Sequence, residues 1–286
     1  MAITRFTKWG ATGLAAAPFL MWGAGARAEL GLNMPQGVTA VSREVYDLHM
    51  LIFWICVVIA IGVFGVMFWS IFHHRKSRGA VPAQFHESTL VEIVWTVVPM
   101  LILIGMAVPA TKTLVKMYDS REAELTIKVT GYQWRWQYDY LDQNVGFLSV
   151  LSTPTAQIRN TAPKGEHYLL EVDNPMVVPV GKKVRILTTA ADVIHSWWVP
   201  ELGWKKDAIP GFINESWTLI EKPGIYRGQC AELCGKDHGY MPIVVKAVPE
   251  AEFKEWLAQM QAKNKPNPKT ANDDNSTVKI AGGQTL

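Results

Sequence analysis

Two stretches without a formal charge, Leu48–Phe72 and Ile93–Thr111, constrain this chain more than anything else in it. The first runs for 25 residues, and the second for 19 with Pro99 and Pro109 inside. About 20 apolar residues in a helix cross the hydrocarbon core of a bilayer. Proline is tolerated in such a helix where its neighbours satisfy the freed backbone groups. A buried pair of soluble helices is the competing reading. The cluster His73-His74-Arg75-Lys76-Ser77-Arg78 follows the first stretch at once and marks a cytoplasmic side. The pattern therefore predicts a transmembrane hairpin, with spans at about 48–72 and 93–111 and both ends outside.

The first 28 residues read as a signal peptide. Arg5 and Lys8 form a basic start, Gly13 to Ala24 is apolar, and Ala26-Arg27-Ala28 offers a cleavage site before Glu29. Arg5, Lys8 and Arg27 account for the whole formal charge of +3, so the exported chain is near neutral. Basic runs interleaved with aromatics are missing from the sequence, which gives nucleic-acid binding no support.

Beyond Tyr118 the period changes to that of strands. Leu125, Ile127 and Val129 alternate on odd positions, whereas Tyr132, Trp134, Trp136, Tyr138 and Tyr140 alternate on even ones. A parity switch at Gly131 is what a β-bulge produces. Further strands are predicted at 168–172, 184–189, 213–220, 225–229 and 243–248, with Glu221-Lys222-Pro223-Gly224 as a turn. Short strands at this spacing predict a β-sandwich or Greek-key barrel. Pro249 starts a closing helix with Phe253, Trp256, Leu257 and Met260 on one face. The sequence becomes polar from Lys263 onward and reads as a mobile tail. The domains expected are a cleaved signal peptide (1–28), an N-terminal segment with the hairpin (29–118), a β-domain (119–262) and the tail (263–286).

The chemistry is concentrated in Cys230-Ala-Glu-Leu-Cys234-Gly-Lys-Asp-His238-Gly-Tyr-Met241, two thiols, an imidazole and a thioether in twelve residues. Asp192-Val-Ile-His195 supplies a second imidazole from an upstream loop. These soft and borderline donors suit copper, and the second thiol exceeds what a mononuclear blue-copper site needs. A Cys230–Cys234 disulfide and a closed zinc site are the alternatives on these residues alone. With three cysteines the chain is no disulfide scaffold, and Cys56, in the first span, reads as an inert apolar residue.

Five motifs in order carry a resemblance that covers about Val41 to Met260. They are Glu92-Ile-Val-Trp-Thr-Val-Val-Pro99, Gly131-Tyr-Gln-Trp134-Arg-Trp136-Gln-Tyr138, Asp192 to Pro200, Lys206-Asp-Ala-Ile-Pro-Gly211, and Gly228 to Pro242. With the hairpin before them, they make the chain resemble bacterial cytochrome c oxidase subunit II.

The resemblance implies a cupredoxin-like Greek-key barrel holding a dinuclear copper centre, CuA. By match, Cys230 and Cys234 bridge two copper ions, His195 and His238 each cap one, Met241 is a weak ligand, and Glu232 contributes its backbone carbonyl. The Glu232 side chain is implied to help bind a magnesium ion shared with subunit I. Trp134 matches the residue through which electrons enter from cytochrome c, which docks near Trp134, Asp139, Asp173 and Asp192. Glu92 matches the mouth of a proton path; the competing reading is a carboxylate at a helix N-terminus. The implied partners are subunit I, further subunits such as subunit III, cytochrome c and membrane lipid. The implied location is the inner membrane, with the copper domain and both mature termini in the periplasm.

Over residues 122–250 there are 15 acidic and 13 basic residues, so steering of a basic partner has to come from clustering. The alternative function is a membrane-tethered periplasmic copper-delivery protein using the same ligands. A quinol-oxidase subunit lacks these ligands, nitrous oxide reductase needs a propeller this chain has no room for, and a covalent haem would need a C-x-x-C-H.

Overall fold

A computed structural model describes residues 33–264, Phe85 apart. The expected signal peptide and nearly all of the expected polar tail lie outside the described residues. Helix α1 (Ala40–His73) opens on a capping box. Thr39 Oγ1 accepts from the Ser42 N–H at 2.9 Å, and Ser42 Oγ accepts from the Thr39 N–H at 3.0 Å. Helix α2 (Thr89–Met117) keeps Pro99 and Pro109 inside it. Both helices outrun the expected spans. At 1.5 Å per residue they are about 51 and 44 Å long, against a hydrocarbon core of about 30 Å. Their mean hydropathies are 2.9 and 2.3 over the most apolar windows, and no residue of those windows is buried, which fits membrane helices rather than a soluble core.

The extra turns tie the hairpin to the part of the chain beyond Tyr118. The Val38 N–H donates to Glu201 O at 2.9 Å, and the Glu221 N–H donates to Val38 O at 3.2 Å. Thr39 Oγ1 donates to Leu202 O at 3.1 Å, and Arg43 pairs with Glu221 at 2.7 Å. At the end of α2, Lys116 pairs with Glu44 of α1, and its carbonyl accepts from Trp217 Nε1 at 3.1 Å.

Ten strands build the β-domain: β1 (Leu125–Tyr132), β2 (Arg135–Tyr140), β3 (Val145–Ser149), β4 (Met176–Pro179), β5 (Val184–Ala190), β6 (His195–Val199), β7 (Trp204–Ala208), β8 (Asn214–Thr218), β9 (Gly224–Cys230) and β10 (Pro242–Val248). A single helical turn, α3 (Thr155–Ile158), lies between β3 and β4, and α4 (Glu250–Asn264) closes the domain. The strands form two five-stranded sheets, in the orders β3-β2-β1-β5-β8 and β4-β10-β9-β6-β7. The β1–β5 and β4–β10 pairs are parallel, and the crossovers they require make this the expected barrel-like sandwich.

Between the sheets lie Ile127, Val129, Trp136, Tyr138, Tyr140, Met176, Ile186, Trp197 and Ile243, all essentially inaccessible. The buried phenols find partners. Tyr140 Oη donates to Val177 O at 2.7 Å and accepts from the Val177 N–H at 2.9 Å. As expected, α4 starts beside Pro249, and it seats Trp256 against Tyr140 and Phe147.

Two strand expectations need correction. The parity switch near Gly131 is no bulge. The chain reverses at Gln133–Trp134, so odd residues of β1 face the core beside even residues of β2, Val129 opposite Tyr138. Residues 168–172 form turns and a single bridge, Leu151 to Val172, instead of a strand.

Candidate metal centre

Three elements converge at one end of the sandwich. Strand β9 ends on Cys230, β10 starts immediately after Met241, and β6 starts on His195, beside β9. His195 is thus the first residue of a strand, not a loop residue as expected. The loop is pinned at its base: the Cys230 N–H donates to Met241 O at 3.4 Å, and the Ala231 N–H to Ser196 O at 3.0 Å. A turn over His238–Tyr240 then brings the second imidazole back to the thiols.

Six groups meet. The sulfurs of Cys230 and Cys234 are 3.8 Å apart and unbonded. His195 Nδ1 lies 3.9 Å from Cys230 Sγ, and His238 Nδ1 lies 3.5 Å from Cys234 Sγ. Met241 Sδ is 3.5 Å from Cys234 Sγ, and the Glu232 carbonyl oxygen is 3.4 Å from Cys230 Sγ. Metal bonds of about 2.0 Å to nitrogen and 2.3 Å to sulfur, at a tetrahedral angle, set donors about 3.5 Å apart. The donor set therefore fits metal binding. His195, Cys230, Cys234 and Met241 are all buried, whereas Glu232 is exposed.

The two thiols hold their protons unequally. Burial opposes ionisation of Cys230, yet the His195 imidazole beside it brings the thiol down to about 7. Burial and the neighbouring Cys230 sulfur push Cys234 up to about 12. Burial lowers His195, but Cys230 and Asp192 outweigh it and raise the imidazole.

The residues around this cluster aim it. Asp192 Oδ1 lies 2.9 Å from His195 Nε2, which leaves Nδ1 facing the sulfurs. The same carboxylate accepts the Gln133 N–H at 2.7 Å. Gly131 gives the His195 ring its room: a Cβ there would stand 2.7 Å from Cδ2. Trp136 is fully buried, donates to Met241 O at 3.2 Å and meets His195 edge-on. Trp134, in contrast, is only half-buried, and its Nε1 donates at 3.3 Å to the carbonyl of Cys234. Gln133 Nε2 shares that carbonyl at 2.9 Å. The motif reading missed the roles of Gly131, Gln133 and Trp136, which depend on the β1–β2 hairpin lying against the metal loop.

Two family descriptions match the chain: "Cytochrome C oxidase subunit II, periplasmic domain" over residues 125–248, and the transmembrane domain of the same subunit over 27–113. The "Probable cytochrome c oxidase subunit 2" of Rickettsia bellii is 41% identical over 251 residues, 87% of this chain and 88% of that one. The chain belongs to the cytochrome c oxidase subunit II family. The cytochrome c oxidase subunit 2 of Cereibacter sphaeroides is 38% identical over 242 residues, 80% of each chain. The crystal structure of the periplasmic domain of subunit II of cytochrome oxidase of Bradyrhizobium japonicum is 44% identical, with a TM-score of 0.46 over 50% of this chain and 98% of that one.

Subunit II membership makes this chain the membrane-anchored part of a haem–copper oxidoreductase through which electrons enter, a partner of subunit I, with copper as the metal for the His–Cys–Cys cluster. Copper delivery is not favoured.

The other expected subunit II residues are dispersed. Glu92 stands exposed in the first turn of α2, remote from the cluster. Asp139 pairs with Lys128 at 3.1 Å. Asp173 Oδ1 accepts the N–H groups of Val150 and Asn174, each at 2.8 Å.

Proposed function

We propose that this chain takes electrons from cytochrome c at Trp134 and holds two copper ions as the centre that passes them to subunit I. Cys230, Cys234, His195, His238, Met241 and the Glu232 carbonyl would hold the ions. The observation that carries this reading is the convergence of four further donors on a pair of unbonded sulfurs 3.8 Å apart. When bound, copper supplies a one-electron couple.

The chain's own residues do the rest. Donors on the ends of β6 and β9, and on the loop pinned between β9 and β10, move little between charge states, which keeps reorganisation small. Burial keeps water off the sulfurs. Trp134 connects the surface to Cys234 through one hydrogen bond. The exposed Glu232 side chain is free to help hold a magnesium ion against subunit I, since carboxylate oxygen suits that hard cation. Glu92, on the far end of α2, is proposed as the mouth of a proton path.

In this reading the hairpin lies in the inner membrane with the β-domain in the periplasm, beside subunits I and III. Leader removal after Ala28 completes the chain, and N-terminal sequencing that begins at Met1 overturns that point.

Copper per chain and the electron paramagnetic resonance spectrum of the purified chain in detergent test the centre. Two coppers, with hyperfine structure from one electron shared by both nuclei, are expected. One copper with a single-nucleus pattern, readily lost to a chelator, overturns the dinuclear reading.

A further inference from the structure

Where the two spans emerge below the β-domain, α1 and α2 enclose an open groove of about 410 Å³. Leu48 and Leu51 of α1 and Pro109 of α2 give it an apolar floor, and Glu44, Asp47, Lys112 and Lys116 give it a charged rim. The border between floor and rim falls where the charge-free stretches end. Asp47 immediately precedes Leu48, and Lys112 immediately follows Thr111. The rim therefore lies at the depth of lipid headgroups, and the floor at the edge of the hydrocarbon core. Two of the rim charges are engaged with each other, Lys116 with Glu44 across the helices. Arg43, one turn before Asp47, is held by Glu221 at 2.7 Å. Asp47 and Lys112 are left, both exposed and on different helices, with no hydrogen bond or ion pair among the described residues.

We infer that this groove binds a phospholipid whose zwitterionic headgroup carries a primary amine, of the phosphatidylethanolamine class. Its phosphate faces Lys112, its ammonium donates to Asp47, and the start of an acyl chain covers Leu48, Leu51 and Pro109. Charge complementarity selects this occupant over its neighbours. A phosphatidylglycerol answers Lys112 but brings only negative charge to Asp47. A phosphatidylcholine has both charges, yet its quaternary ammonium has no N–H to donate. Free phosphoethanolamine has the charges and the N–H groups but nothing to cover the floor. An exposed ion pair contributes little alone, so selection comes from meeting both charges and the floor with one molecule. Bound there, the lipid bridges α1 and α2 beside the Lys116–Glu44 pair.

Native mass spectrometry of the intact oxidase tests this, after delipidation in detergent and re-addition of phosphatidylethanolamine, phosphatidylglycerol and phosphatidylcholine in equal amounts. The wild type is expected to retain an additional phosphatidylethanolamine relative to the double variant Asp47→Asn/Lys112→Gln, with the other two lipids unchanged. Equal retention by both proteins, the result if another subunit fills the groove, overturns the inference. Lys112→Gln alone is expected to weaken phosphatidylethanolamine binding about five-fold, the effect of one basic residue at a lipid surface. Asp47→Asn alone is expected to abolish the preference over phosphatidylglycerol, and a preference that survives it overturns the amine contact. Arg75→Gln removes a cation on the opposite side of the membrane and is expected to change nothing. A loss as large as that of Lys112→Gln would assign the effect to overall charge and sink the site. Excess soluble phosphoethanolamine is expected to leave the lipid bound; displacement would show that the headgroup alone is recognised and that the floor plays no part.

Discussion

Gly131 and Asp192 bear on the metal centre from opposite sides of one imidazole. A methyl group at Gly131 would press into the His195 ring at 2.7–2.9 Å, so the ring has to rotate off its line to Cys230. Gly131→Ala is therefore expected to lower the copper content of the purified chain and to alter its paramagnetic spectrum while the fold persists by circular dichroism. A full copper complement with an unchanged spectrum would show that the ring has room to spare. Asp192 holds the far nitrogen at 2.9 Å. Outer partners of ligating histidines are worth about 10–100-fold in metal affinity. Asp192→Ala is expected to cost that much in competition with a copper chelator, and an unchanged affinity would return Asp192 to the surface role the motif implied. Five of the six proposed donors were legible because Cys230 to Met241 packs them into one short run. Gly131 was not, since its neighbour His195 is 64 residues away and meets it only once β5 and β6 are in place.

At the scale of elements, the strands that alternate were readable and those covered on both faces were not. All four residues of β4 are buried, and β6 is buried except at Trp198, so neither shows a period of two. In β7, Lys205 and Lys206 adjoin and break any alternation. The β1–β2 segment shows the opposite problem: a bulge and a tight hairpin both invert parity, and alternation alone does not separate them. The β6–β9 pair matters most, because it carries His195 and Cys230 on neighbouring strands. Gly228 lets them approach: a Cβ there would sit 2.0 Å from the Trp198 carbonyl oxygen. Backbone cannot yield as a flexible side chain does, so Gly228→Ala is expected to cost about 3 kcal/mol or more. Denaturant unfolding of the copper-free chain is the measurement, and a loss below about 1 kcal/mol would mean that the two strands are less tightly apposed.

For the molecule as a whole, the question is how an electron-transfer domain stays registered to a membrane anchor. Hydropathy located the hairpin but not its grip, because the gripping residues, Val38 to Arg43, are polar or small and precede the apolar run. Their partners are backbone groups of Glu201 and Leu202 together with Glu221, more than 150 residues away. The exposed Arg43–Glu221 pair contributes little by itself. The buried contact at Gly203 contributes more, for its φ is +85° and a Cβ would stand 2.5 Å from the Ser42 Cα. Gly203→Ala strains the left-handed backbone by about 1–2 kcal/mol and drives the start of α1 off the domain. Two effects are expected together: faster limited proteolysis around Val38–Ser42, and a lower melting temperature, with the copper spectrum unchanged because the metal loop is built on other strands. Proteolysis at the wild-type rate would show that the hairpin is held by the α2 contacts at Lys116 and Trp217 alone. Registration of the metal centre against subunit I would then depend on one helix instead of two.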